Sequence, residues 1–165
     1  LDPQSIPQGL NDSKKLTARR RAEIADDIWL MAQVAVAHAS VAEIDELNIL
    51  RASHLAMQRA IDELPQRPDH VLIDGNMIPR GLKISAETIV KGDARSLSIA
   101  AASIVAKVAR DRIMCALAAD FPGYGWDSNA GYPSKAHKIA LQSLGVTPHH
   151  RRSFKPVHNI LYPEK

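Results

Sequence analysis

The chain has 165 residues, 45% of them hydrophobic and 24% charged, with a formal net charge of +3. These are globular values that exclude wholesale disorder, and the length suits one domain with a single core. One cysteine, Cys115, excludes an internal disulfide and fits a reducing cytoplasm, and no apolar run approaches the roughly 20 residues of a membrane span.

In chain order, Leu10–Leu16 (LNDSKKL) reads as a polar loop, and Thr17 as the N-cap of a helix to about Ala32 with Ile24, Ile28 and Met31 inside. Val34–Ala39 is expected as a short strand. Ser40 and Glu43 form a capping box for a short helix ending at Leu47, and Asn48 caps the next helix, which stops before Pro65 and Pro68. Val71–Ile73 is a brief apolar strand, of the kind buried on both faces, that ends in Asp74-Gly75. A second strand, Glu87–Val90, leads into Lys91-Gly92-Asp93 and then the longest helix, from about Ser96 to Ala119. That helix begins with small residues suited to close packing, and it carries Cys115 as a buried small hydrophobe. The glycine- and proline-rich remainder holds one short helix, capped by Ser134 and stopped by Gly145. Strands alternating with helices give an α/β domain.

Charge is unevenly placed. Lys14, Lys15, Arg19, Arg20 and Arg21 crowd the beginning, and residues 131–165 hold Lys135, Lys138, Arg151, Arg152, Lys155 and Lys165 against Glu164 alone. Basic ends around a more acidic middle suit a phosphate-facing surface, and equally a solvated charged face. Asp74 and Asp93 each follow an apolar strand. Two strand-end carboxylates are the donor type that magnesium or manganese prefers, and metal held this way serves phosphodiester hydrolysis. Spacing alone also fits a turn aspartate and a helix N-cap. His149-His150 lacks companions that would complete a zinc set and is read as structural, as is Trp126.

The ordered segments LNDSKKLT, EIDELNILRASHLAM (43–57), IDGN, VKGDARSLSIAAASIVAKVARDR, Gly131-Tyr132 and HHRRSFKPV (149–157) resemble ribonuclease HII over nearly the whole chain. The resemblance implies a ribonuclease H-like mixed sheet flanked by helices with a helical C-terminal segment, as a catalytic domain over residues 1–157 and a tail over 158–165. It implies an endonuclease acting on RNA–DNA hybrids and on ribonucleotides embedded in duplex DNA, using two manganese or magnesium ions and expected to be monomeric. Asp74 matches a direct metal ligand and Asp93 the aspartate at or near the second metal. Tyr132 matches the tyrosine that packs on the junction sugar. Lys14 and Lys15 match phosphate-facing lysines, and Arg151 and Arg152 fall on the basic C-terminal motif. Each has a structural alternative: solvated charge for the lysines, loop packing for Tyr132, and pairing with core carboxylates for the arginines. The family's Asp-Glu-Ala-Gly-Arg-Gly strand, with two further ligands, is absent before Leu1-Asp2-Pro3. The chain therefore reads as a truncated form, expected to be inactive or nearly so by itself although its parent sequence is an active nuclease, and the alternative function is a hybrid-binding fragment that does not cut. Asn129-Ala130 stands where the family often has His-Lys, removing a basic phosphate contact.

Overall fold

The computed structural model describes residues 1–163; Glu164 and Lys165, part of the expected tail and of the basic end, lie outside the described residues. The elements run α1 (Ala18–Met31), α2 (Val41–Leu47), α3 (Ile49–Asp62), β1 (His70–Asp74), β2 (Ser85–Ile89), α4 (Leu97–Asp120), α5 (Trp126–Asn129), α6 (Lys135–Leu144) and α7 (Lys155–Leu161). They divide into two compact units, Leu1–His38 with His54–Ala109, and Ala39–Ser53 with the chain from Arg110 onward. Each unit has its own buried cluster, where length alone suggested a single core.

The first unit packs α1 on α4. Ala101, Ile104, Val105 and Val108 recur at helical spacing and meet Ile24, Ala25 and Ile28 of α1. Ile24 and Ile104 are fully buried, and each side chain contributes about 1.5–3 kcal/mol by leaving water. The alternation of alanine with branched residues on α4 lets the backbones approach while still filling the interface. Thr17 caps α1, its hydroxyl accepting from the Arg20 N–H at 3.2 Å. Thr17→Ala is expected to lower stability by about 1 kcal/mol, read as an earlier urea midpoint with unchanged slope.

β1 and β2 pair in parallel, with His70 opposite Ser85 and Asp74 opposite Ile89. The expected mixed sheet is represented among the described residues by this parallel pair. Only Ile73 of β1 is buried and Leu72 is 36% exposed, so the strand is not covered on both faces as its apolar run suggested. Val34–Ala39 is not a strand: it forms no ladder among the described residues, and Val34 and Val36 pack instead against the α1–α4 cluster. Met31 is also exposed, because α1 turns its last residues outward.

In the second unit, the Ser40–Glu43 capping box forms as expected, with the Ser40 N–H donating to Glu43 at 2.8 Å and the Glu43 N–H to Ser40 at 3.2 Å. Asn48 adopts a positive φ of 68° and its side chain accepts from Leu50 and Arg51. Met114, Tyr124, Trp126, Ala140, Leu141 and Val157 form the core. Ser134 and Gly145 bound α6 as expected. The short helices α5 and α7 add to it; both escape a periodicity reading because they span only 4 and 7 residues. Cys115 is exposed, on the outer face of α4, and is not the buried hydrophobe expected of it.

Candidate active site

Asp74 closes β1, and Gly75 follows with a φ of 105° that lets the chain turn sharply away. Parallel pairing carries β2 alongside, so Gly92 and Asp93 arrive at the same carboxyl end of the sheet. The Asp74 carboxylate accepts the Gly92 N–H at 2.8 Å, which links one aspartate to the peptide immediately before the other. A methyl group on Gly92 would lie 2.4 Å from Ile99 Cδ1 and 3.3 Å from Asp74 Oδ1, so any larger residue would have to displace the buried Ile99 side chain. Lys91 enters the turn left-handed, at φ 55°.

Asp93 sits in a single 3-10 turn, Gly92–Ala94, and does not cap α4. Ser96 stands at that position, its hydroxyl 3.5 Å from the Ile99 N–H. The helix-cap alternative for Asp93 is thereby removed. Its side chain is only 13% exposed, and Lys14 Nζ lies 3.8 Å away. With the lysine 84% exposed, this pairing is weak. Lys15, its neighbour, is exposed as well.

The loop bearing these lysines is fixed from within. Arg21 of α1 donates to the Ser13 and Leu16 carbonyls at 3.0 and 2.6 Å, and Ser13 is buried. In the sequence Arg21 stands out only as basic charge; its position one turn inside a helix behind a lysine loop is the available clue. Asp74 and Asp93 are oxygen donors of the type a hard divalent cation takes. Among the described residues no group of three or more histidine, cysteine, aspartate or glutamate side chains could hold a metal.

In the second unit, Tyr132 is 60% exposed on a turn built by Asn129. Asn129 donates to the Tyr124 carbonyl at 2.8 Å and accepts from the Gly131 N–H at 2.8 Å, while Arg110 donates to the Ala130 carbonyl. Asn129, noted in sequence only as a lost basic contact, thus anchors the tyrosine turn. Arg152 is exposed and Arg151 half-buried, its guanidinium 5.0 Å from the Phe154 ring.

Behind that segment His150 and His137 stack at 5.4 Å, against Tyr124 and Trp126. His150 is 6% exposed and His137 5%, which fits the structural reading of His150; His149 is exposed with its ring edge-on to Phe121. Burial, then the neighbouring His137 and His149, push the His150 pKa from 6.5 down to about 4. The unfolded chain therefore takes up this proton first. The neutral ring's contribution is present in full above pH 6.5 and is lost progressively as pH falls towards 4. We expect a loss on the order of 3 kcal/mol across that window, and a flatter pH profile for His150→Phe in urea melts.

The family model for ribonuclease HII matches residues 6–157. Ribonuclease HII of Ruegeria sp. (strain TM1040) is 69% identical, over 99% of this chain and 72% of its own length. The crystal structure of ribonuclease H2 from Pyrococcus horikoshii OT3 shares the fold, with a TM-score of 0.75 and 24% identity over 92% of this chain and 80% of that one. Ribonuclease HII of Archaeoglobus fulgidus, solved in complex with PCNA, gives a TM-score of 0.70 and 25% identity over 95% and 82%. No helix among the described residues is long and apolar enough to cross a membrane. The match runs through both strand-end aspartates, the tyrosine turn and the basic C-terminal segment, and this chain belongs to the ribonuclease HII family.

Proposed function

We propose that the chain is an endonuclease that hydrolyses the RNA strand of RNA–DNA hybrids and cuts at ribonucleotides embedded in duplex DNA, in the cytoplasm and as a monomer. The observation that carries this reading is the pair of strand-end aspartates joined through the Gly92 N–H, with Lys14 beside Asp93, in a chain of this family. Residues 1–157 act as the catalytic domain, and 158–165 as a tail.

Asp74 and Asp93 would hold manganese or magnesium, which when bound supplies an activated water and neutralises charge at the leaving oxygen. Asp74 is the direct ligand and Asp93 serves the second position. The Gly92 N–H fixes the rotamer of Asp74, so its free oxygen is set before substrate arrives. Lys14 and Lys15 meet the backbone phosphates, as do Arg151 and Arg152, which orients the duplex without reading its bases. Tyr132 offers an exposed ring to the sugar at the RNA–DNA junction. The ribose 2′-hydroxyl is the group that separates RNA from DNA.

The test is a duplex carrying a single ribonucleotide, alongside an all-DNA duplex, each incubated with the chain and manganese and resolved on a denaturing gel. Cleavage of the first alone, leaving a 3′-hydroxyl and a 5′-phosphate, is the result this reading predicts, and it would overturn the expectation that the missing first strand is essential. Salt-dependent hybrid binding without manganese-dependent turnover would instead identify a binding module that does not cut.

A further inference from the structure

We propose that Asp45 is a positioning residue for substrate binding: its carboxylate fixes the turn that presents Arg151 and Arg152 to the duplex backbone. This rests on the reading of those arginines as phosphate contacts. Asp45 belongs to α2, whose start is locked by the Ser40–Glu43 capping box and whose end is set by the left-handed Asn48. From that rigid turn it reaches a segment 107 residues away. Its Oδ2 accepts the Arg152 N–H at 2.9 Å, and its Oδ1 accepts both the Ser153 N–H at 2.9 Å and the Ser153 hydroxyl at 2.6 Å.

The chemistry of this contact separates it from an ordinary ion pair. A carboxylate among His149, Arg151, Arg152 and Lys155 could be neutralised by a guanidinium. Here both oxygens are instead taken by backbone and hydroxyl donors, which define the local backbone path more closely than a flexible side chain could. Among the described residues neither Arg151 nor Arg152 forms a close ion pair with a carboxylate, and the Arg152 charge acts on Asp45 only as an added attraction beside the hydrogen bonds. Burial of Asp45 opposes its ionisation, but the bonds from the Ser153 side chain and the Ser153 and Arg152 backbone hold its carboxyl below the usual aspartate range. The turn is anchored on either side by buried His150 and Val157, and the Phe154 N–H donates to the Arg151 carbonyl at 3.1 Å. Asp45 supplies the link in between.

Binding of a fluorescein-labelled RNA–DNA hybrid, followed by anisotropy across a salt series, tests this with Asp45→Asn, Arg152→Ala and the double variant. A phosphate contact shows as a salt slope shallower by about one, with affinity lowered roughly five- to tenfold. Asp45→Asn should reproduce both changes, the double variant should bind no more weakly than Arg152→Ala, and Asp45→Glu should recover most of the affinity. Normal binding by Asp45→Asn beside weakened Arg152→Ala overturns the proposal and leaves the substrate reading standing. So does a loss that adds fully in the double variant with the slope unmoved, because that marks a purely structural cap. Wild-type affinity for Arg151→Ala and Arg152→Ala alike sinks the substrate reading and this inference with it. If Asp45→Asn gives no folded protein, Ser153→Ala removes the 2.6 Å bond alone; it should shift affinity and slope in the same direction, and wild-type behaviour there counts against the role.

Discussion

Replacing Asp74 by asparagine is expected to stop cleavage while leaving the fold and duplex binding in place. The amide oxygen can still accept the Gly92 N–H, now at 2.8 Å from Asp74 Oδ1, so the turn that brings Asp93 alongside survives. What disappears is the negative charge. Losing one preorganised electrostatic contact in an active site typically costs a hundred- to a thousandfold in rate, about 3–4 kcal/mol. Removing an anion that faces phosphate should leave hybrid affinity unchanged or slightly higher. Manganese binding measured by calorimetry gives a readout separate from turnover, and it should weaken in the same variant. Single-turnover cleavage by Asp74→Asn at the rate of the unchanged chain would remove this residue from the chemistry. Asp93→Asn makes a useful companion, because it also releases Lys14, and the two variants together separate a ligand from a lysine partner.

Much of the site was legible because its signals are local. An apolar run ending in aspartate announces a strand end, and the glycine beside each aspartate marks a sharp turn at Gly75 and a close approach at Gly92. Parallel pairing of two such strands then brings their ends together without further information. The helix caps at Thr17, Ser40, Asn48 and Ser134 were readable for the same reason: the donor and acceptor lie within three residues. Elements whose state depends on distant partners were not readable. Val34–Ala39 has the composition of a strand, yet a strand exists only where a neighbour completes its ladder, and among the described residues none does. Cys115 lies in a helical pattern whose exposed face also carries small residues such as Ala102, Ala106 and Ala116, so periodicity could not place it. Asp45 and Arg21 are harder still. Both act by binding backbone groups, which carry no residue-type signal, and Asp45 does so across 107 residues.

Trp126→Ala is expected to be the most damaging single change in the second unit. Trp126 is 2% exposed, stacks on Tyr124 at 5.0 Å with ring planes 20° apart, and touches Phe121 and His150 at centroid distances of 6.0 and 5.1 Å. Truncating a buried tryptophan costs about 3–5 kcal/mol, since the cavity left behind closes only partly. That is a large share of the stability of an ordinary domain, roughly 5–15 kcal/mol. The chain's other tryptophan, Trp29, is 49% exposed, so the two are distinguishable by emission. The variant should lose the blue-shifted component, and hydrogen exchange should accelerate at α6 while α1 keeps its protection. Function follows from the same packing. Trp126 opens α5, and Asn129 at the end of α5 holds the turn that displays Tyr132. Hybrid binding should therefore weaken along with stability, and Trp126→Phe, which keeps an aromatic face in the stack, should restore most of both. A Trp126→Ala protein with an unshifted urea midpoint would mean that the aromatic cluster is not what holds this unit together.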